Sequence, residues 1–230
     1  MTEIIPAIIP KDFEEIKEKA GFVKELVSYI QIDIMDGSMT PHKSWPYIRT
    51  SQKNDFDKLR NEDEGLPFWQ DVNFEVDLMV NDAEEPALEW ISVGATRVVF
   101  HIEAKVDIIG FLKKIENIQS DIFKTEIGLA IGIETPNEEL YPFIEKVDFI
   151  QFMGIKNIGF QGEVFDERVL EKIKDLRNRY PQIIISVDGG VDLENAQSLI
   201  SAGANRLISG STIFESDSIR DTIKSFKSFK

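Results

Sequence analysis

The chain has 230 residues, with 41 acidic and 26 basic side chains and a formal charge of −15. That length supports one sizeable core and is short for two. The acidic balance argues against general nucleic-acid binding, which needs a basic footprint, and the lack of cysteine excludes disulfides, thiolate nucleophiles and thiolate metal sites.

Apolar strand-like runs are predicted at about 3–9, 29–34, 72–79, 97–101, 126–131, 147–153, 182–187 and 205–209. Helical patterns with polar faces lie between most of them, at 11–26, 83–92, 106–119, 137–145, 165–180 and 193–202. Consecutive apolar residues such as Val98-Val99-Phe100 and Ile183-Ile184-Ile185 suit strands buried on both faces of a parallel sheet. Eight such strands with intervening helices predict one (β/α)₈ TIM-barrel domain over 1–230; an open doubly wound sheet is the alternative. The segment at about 37–70 fits least well. It holds Pro41, Trp45, Pro46 and the polar run Ser51–Asp55, and reads as an irregular loop with a short helix near Asp55–Arg60. Such a loop would either cover the mouth of the barrel or form a surface excursion. No uncharged apolar run reaches the roughly 18 residues of a membrane span, and Met1–Pro6 lacks the basic start and apolar core of a secretory signal. A cytoplasmic protein with no membrane partner is expected.

Two strand ends carry aspartates beside glycine turns: Ile32-Asp33-Ile34-Met35-Asp36-Gly37 and Ser186-Val187-Asp188-Gly189-Gly190. A closed barrel sets the second and seventh strands well apart, so Asp33 and Asp188 could face one carbon from opposite sides. One would remove a proton beside a carbonyl and the other return it, which requires carboxyl pKa values tuned upward. Asp36 reads as a turn residue. Gly189 and Gly190 after the seventh strand, with Gly210 and Ser211 after the eighth, suit a backbone phosphate cup. Thr212 could add a hydroxyl, and Gly159 and Gly162 after the sixth strand could close over a substrate. Asp77 interrupts an otherwise apolar strand and demands a partner. Asp33, Asp77 and Asp188 with the amide oxygen of Gln31 could form a hard-ligand metal site. His101, Met35 and Met153 are candidates to line the mouth, and His42 is a weaker one. Trp45, Tyr47 and Trp69 could cover the mouth or form a subunit contact, which leaves a homo-oligomer open.

The motifs together resemble the ribulose-phosphate 3-epimerase family over nearly the whole length. Pro6-Ala7-Ile8-Ile9-Pro10-Lys11-Asp12-Phe13 is similar to the family's Pro-Ser-Ile-Leu-Ser-x-Asp-Phe, and Asp33-Ile34-Met35-Asp36-Gly37 to its Asp-x-Met-Asp-Gly. Val76–Val80, His101–Ala104, Gly159–Gly162, Val187–Val191 and Gly210–Phe214 follow in the family's order. The resemblance implies a ribulose-phosphate-binding barrel, a small phosphorylated sugar as substrate, and Asp33 and Asp188 as acid/base groups that also bind a divalent metal. It departs from the family where two metal-binding histidines are expected, at Gln31 and Asp77, where two serines have become Ala7 and Pro10, and in a longer stretch between Asp36 and Asp77. Three aspartates favour Mg²⁺ or Mn²⁺ over Zn²⁺, and a metal-free site is the other reading. An epimerase acting through an enediolate is expected, with a non-catalytic phosphosugar-binding or regulatory barrel as the alternative.

Overall fold

The computed structural model describes residues 2–116, 124–160 and 162–229. Eight parallel strands close into a barrel in chain order, β1 pairing β2 and so on until β8 returns to β1. They are β1 (Glu3–Ile8), β2 (Tyr29–Met35), β3 (Asn73–Met79), β4 (Arg97–His101), β5 (Glu126–Ile131), β6 (Phe149–Met153), β7 (Ile184–Asp188) and β8 (Arg206–Ser209). Each expected strand is present. The helices are α1 (Phe13–Val23), α2 (Thr50–Arg60), α3 (Glu84–Ser92), α4 (Ile108–Glu116), α5 (Arg168–Arg179), α6 (Ala196–Ala202), α7 (Ser211–Phe214) and α8 (Ile219–Ser228).

The outward faces of the strands bury against the helices in one continuous apolar core. The inward faces are different. Two small apolar groups, Ile5/Ala7/Ile208 and Val99/Ala130/Phe149/Met153, sit in the barrel interior, while Gln31, Glu75, Asp77, Gln151 and Ser186 are also fully buried. Side chains alternate along a strand, so Gln31, Asp33, Glu75 and Asp77 share the inner face with their register partners. A polar interior in so acidic a chain needs compensation, and the strands supply some of it at the barrel's base. Arg97 and Arg206 both bind Glu3 and Glu126 there, at 3.0 to 3.1 Å.

Two helical expectations are corrected. The polar run Ser51–Asp55 is helical, so α2 is a full three-turn crossover helix rather than a short one starting near Asp55. Its buried stripe is Gln52, Phe56 and Leu59, with Gln52 donating to the Lys11 carbonyl at 2.7 Å. Conversely, 137–145 forms only a 3₁₀ turn, Asn137–Leu140. Pro142 has no N–H to donate to a helical ladder, although Tyr141 before it keeps helical dihedrals. Part of the helix expected at 106–119 lies outside the described residues.

The loop before α2 is anchored in the core. Trp45 is fully buried and packs its ring 5.4 Å from Phe13, 5.6 Å from Phe56 and 5.9 Å from Trp90. Trp45 is therefore neither a mouth cover nor a subunit contact, whereas Trp69 is 65 % exposed. Ser44 ties the same loop to β2: its hydroxyl donates to the Asp33 carbonyl at 2.7 Å and accepts from the Met35 amide at 2.9 Å. Among the described residues no helix is long and apolar enough to cross a membrane.

Candidate active site

The carboxyl ends of β2, β3 and β7 bring three aspartates together. Asp33 lies inside β2 and Asp188 is the last residue of β7. Asp33 and Asp77 are register partners across β2 and β3. One oxygen from each of Asp33, Asp77 and Asp188 lies within 4.8 Å of the others, and all three residues are buried.

Two of the acids share one donor and the third has its own partners. The Gln31 amide nitrogen donates to Asp33 Oδ1 and to Asp188 Oδ2, both at 2.8 Å. Asp77 Oδ1 lies 2.8 Å from His101 Nε2, and its Oδ2 accepts from the Gln151 amide at 3.0 Å. His101 is thus a fully buried partner of Asp77 and is not part of the cavity wall. Gln151 was not anticipated. Its signal was a lone amide in the apolar run Phe149-Ile150-Gln151-Phe152, which must find a partner when buried.

Crowding of carboxylates sets the electrostatics. Burial, then the charges of Asp188 and Asp77, hold the Asp33 carboxyl well above its usual range, outweighing the Gln31 hydrogen bond. Burial and the Asp77 charge push Asp188 up to about 7 against the same amide and the Gly189 backbone N–H. Burial acts to lower His101, but the charge and hydrogen bond of Asp77 outweigh it and the imidazole is raised.

Asp33 and Asp188 open on a cavity of about 220 Å³ whose wall includes Ala7, Gly162, Gly189, Gly190, Gly210 and Ser211. Met35 and Met153, candidates for its lining, are buried away from that wall, as is Met79. Gly159 also stands off it. A side chain there would meet the Met35 sulfur at 2.8 Å, and its φ of +85° suits glycine, so it packs the β6–α5 loop onto β2. Beside it, Phe160 lines the cavity and meets the His42 ring edge-on at 4.3 Å. The two loops therefore touch over the mouth. Gln161 of this motif lies outside the described residues. Glu163 and Asp192 also line the wall, two acids that no motif singled out.

The glycine turns after β7 and β8 are stitched together. The Val191 carbonyl accepts from Ser209 Oγ at 2.7 Å and from Thr212 Oγ1 at 3.2 Å, so the Thr212 hydroxyl is engaged with backbone. Asn195 Nδ2 donates to the Gly190 carbonyl at 2.8 Å. Asp36 accepts from the Ser38 amide at 2.8 Å, the turn role expected of it.

The residues fit a hard divalent cation. Three buried carboxylates converge, an all-oxygen donor set. Asp33, Asp77 and Asp188 could hold such an ion.

Among solved structures, the chain is similar to KGPDC from Streptococcus mutans, with a TM-score of 0.70 at 18% identity, covering 98% of this chain and 95% of that one. That likeness concerns the fold. By sequence it is 27% identical to a ribulose-phosphate 3-epimerase of Schizosaccharomyces pombe over 98% of this chain and 92% of the relative. It is 30% identical to that of Buchnera aphidicola subsp. Acyrthosiphon pisum, over 92% and 87%. The ribulose-phosphate 3 epimerase family model matches residues 3–214. With the barrel and both strand-end aspartates in place, the chain belongs to the ribulose-phosphate 3 epimerase family.

Proposed function

We propose that this protein is a phosphosugar epimerase of the ribulose-phosphate 3-epimerase type, inverting the carbon beside a ketone by proton transfer between two aspartates. The observation that carries this reading is the placement of Asp33 and Asp188, on β2 and β7, at one cavity and bridged by one amide. One carboxylate removes the proton on its side of the carbon and the other, as the acid, delivers a proton to the opposite side of the enediolate. Relaying a proton requires one group charged and one neutral near pH 7, which the raised pKa values of both acids support. A divalent ion held by Asp33, Asp77 and Asp188 would supply electrophilic stabilisation of the enediolate oxygens; the all-oxygen donor set favours Mg²⁺ or Mn²⁺ over Zn²⁺.

The phosphate is assigned to the backbone of Gly189, Gly190, Gly210 and Ser211. The first N–H groups of α7 have no partner within the helix, and among the described residues no lysine or arginine lines this cavity. Gly190 has φ +67°, and a Cβ there would come within 2.9 Å of the Phe165 backbone. Gly190→Ala is therefore expected to raise KM for a phosphosugar about tenfold, equivalent to ~1.4 kcal/mol, with a smaller change in kcat. Steady-state kinetics with inorganic phosphate as competitor measures it.

Ribulose 5-phosphate in heavy water, with and without Mg²⁺, Mn²⁺ or Zn²⁺, tests the assignment. Deuterium is expected at C3 by NMR; its absence under every condition removes this substrate. The replaced opening serines, Ala7 and Pro10, motivate a second reading, a barrel that binds a phosphosugar without turnover. It requires phosphosugar binding with no exchange in any of these reactions.

A further inference from the structure

Gln31 stands where the family resemblance expects a histidine metal ligand, yet its side chain does the opposite of a ligand. Its amide nitrogen donates to both proposed acid/base groups, Asp33 and Asp188, at 2.8 Å each, while its oxygen is buried and unpartnered. The orientation follows from the neighbours. Turned over, Oε1 would face two carboxylate oxygens at that distance, a repulsive contact, so the amide assignment is dictated by its partners. The third acid is occupied as well, by His101 and Gln151.

A cation coordinated by Asp33 and Asp188 would sit where these N–H dipoles point. An ion held by the same two oxygens, Asp33 Oδ1 and Asp188 Oδ2, would displace both hydrogen bonds, and Gln31 would serve it as a ligand only after turning through about 180° to present Oε1. A histidine at this position would present a ring nitrogen lone pair and impose no such exchange.

We propose that Gln31 is a positioning residue that clamps Asp33 and Asp188 by hydrogen bonds in the place a cation would take, so that amide and cation compete for the same carboxylate oxygens. This rests on the two-aspartate reading and deepens it: the pair is held in register by the chain itself, and proton transfer does not depend on a bound ion. A neutral amide that holds both acids in this way lowers their affinity for an ion.

The test uses the full chain after dialysis against a chelator. Mn²⁺ affinity is measured by calorimetry for the unmodified protein and for Gln31→Met, which keeps the length of the side chain but has neither N–H nor oxygen. The variant is expected to bind Mn²⁺ about tenfold more tightly; equal or weaker binding overturns the proposal, because Gln31 would then be indifferent or a ligand. Gln31→Asn, whose amide is drawn back from both acids, gives the same reading should the methionine variant fail to fold. In the chelated state, C3 deuterium exchange by the unmodified protein is expected to persist, and Gln31→Met is expected to lower kcat about 100-fold with KM changed less than threefold. Exchange lost on chelation and restored by Mn²⁺ overturns the clamp but leaves the epimerase intact. No exchange in any state removes the epimerase, a result the Mn²⁺ affinities do not mimic.

Discussion

Asp188→Asn is expected to lower C3 exchange and epimerisation on the order of 10³-fold, the contribution of a general acid/base in such reactions. An asparagine retains the shape and can still accept from the Gln31 amide, so the loss would isolate proton transfer from packing. Asp33→Asn should cost about as much. The double variant should lose little more, since the two acids work as one relay. The pH profile follows from the same pair. Burial and neighbouring negative charge raise both carboxyls, Asp188 to about 7. At low pH both acids are protonated and the base is lost; at high pH both are ionised and the acid is lost. The rate constant kcat/KM is therefore expected to follow a bell whose two limbs are both displaced above the usual aspartate range, one of them near pH 7. A profile flat through pH 9 would contradict this assignment.

Arg97→Leu is expected to destabilise the fold by about 1.5–3 kcal/mol, the cost of losing its charged hydrogen bonds to Glu3 and Glu126, which keep Arg206 as a partner. Arg97 and Arg206 are each about 5 % exposed at the barrel's base. The Arg97 guanidinium reaches Glu3 at 3.1 Å and Glu126 at 3.0 Å, and stacks 3.4 Å from the centre of the Tyr29 ring. Glu75, fully buried, lies 3.7 Å from Arg97, too far for a hydrogen bond. Burial therefore outweighs the attraction of both arginines and pushes Glu75 up to about 8 from an ordinary 4.5. Removing Arg97 takes away one of those two attractions and raises it further. Because Glu75 holds its proton more tightly folded than unfolded, its contribution is complete below pH 4.5 and is lost as pH rises through about 8. Urea unfolding at pH 5 to 9 should show stability falling with pH in the parent, and over a window reaching higher pH in Arg97→Leu. Arg97→Lys, which keeps the charge but not the fork, should fall between them.

The strands were legible because burial on both faces leaves a mark that needs no partner: a short unbroken apolar run. Helix α2 was partly hidden since its first half, Thr50–Asn54, is polar, and only Phe56 and Leu59 display the three-residue spacing of a buried stripe. The helix expected at 137–145 stops at a 3₁₀ turn for a local reason, Pro142, which has no N–H to continue it. In the site, the aspartates and glycine turns were recognisable, whereas the Gln31 bridge was not. The sequence presents Gln31 as an oxygen ligand; the direction of its amide depends on two acids 157 and 2 positions away.

By itself, then, the amino-acid order determined a (β/α)₈ barrel and its family, and marked Asp33 and Asp188 as the acids proposed for the chemistry. Each of these rests on local pattern: strand period, turn residues, and an acid set against apolar neighbours. Only the tertiary structure decided that Asp77 is paired with His101 and Gln151, that Trp45 belongs to the core, and that the Gln31 N–H groups join the two acids. Those are contacts between residues on different strands and loops, made when barrel closure fixes register and side-chain direction together. A hydrogen bond at 2.8 Å between Gln31 and Asp188 is a property of that closure.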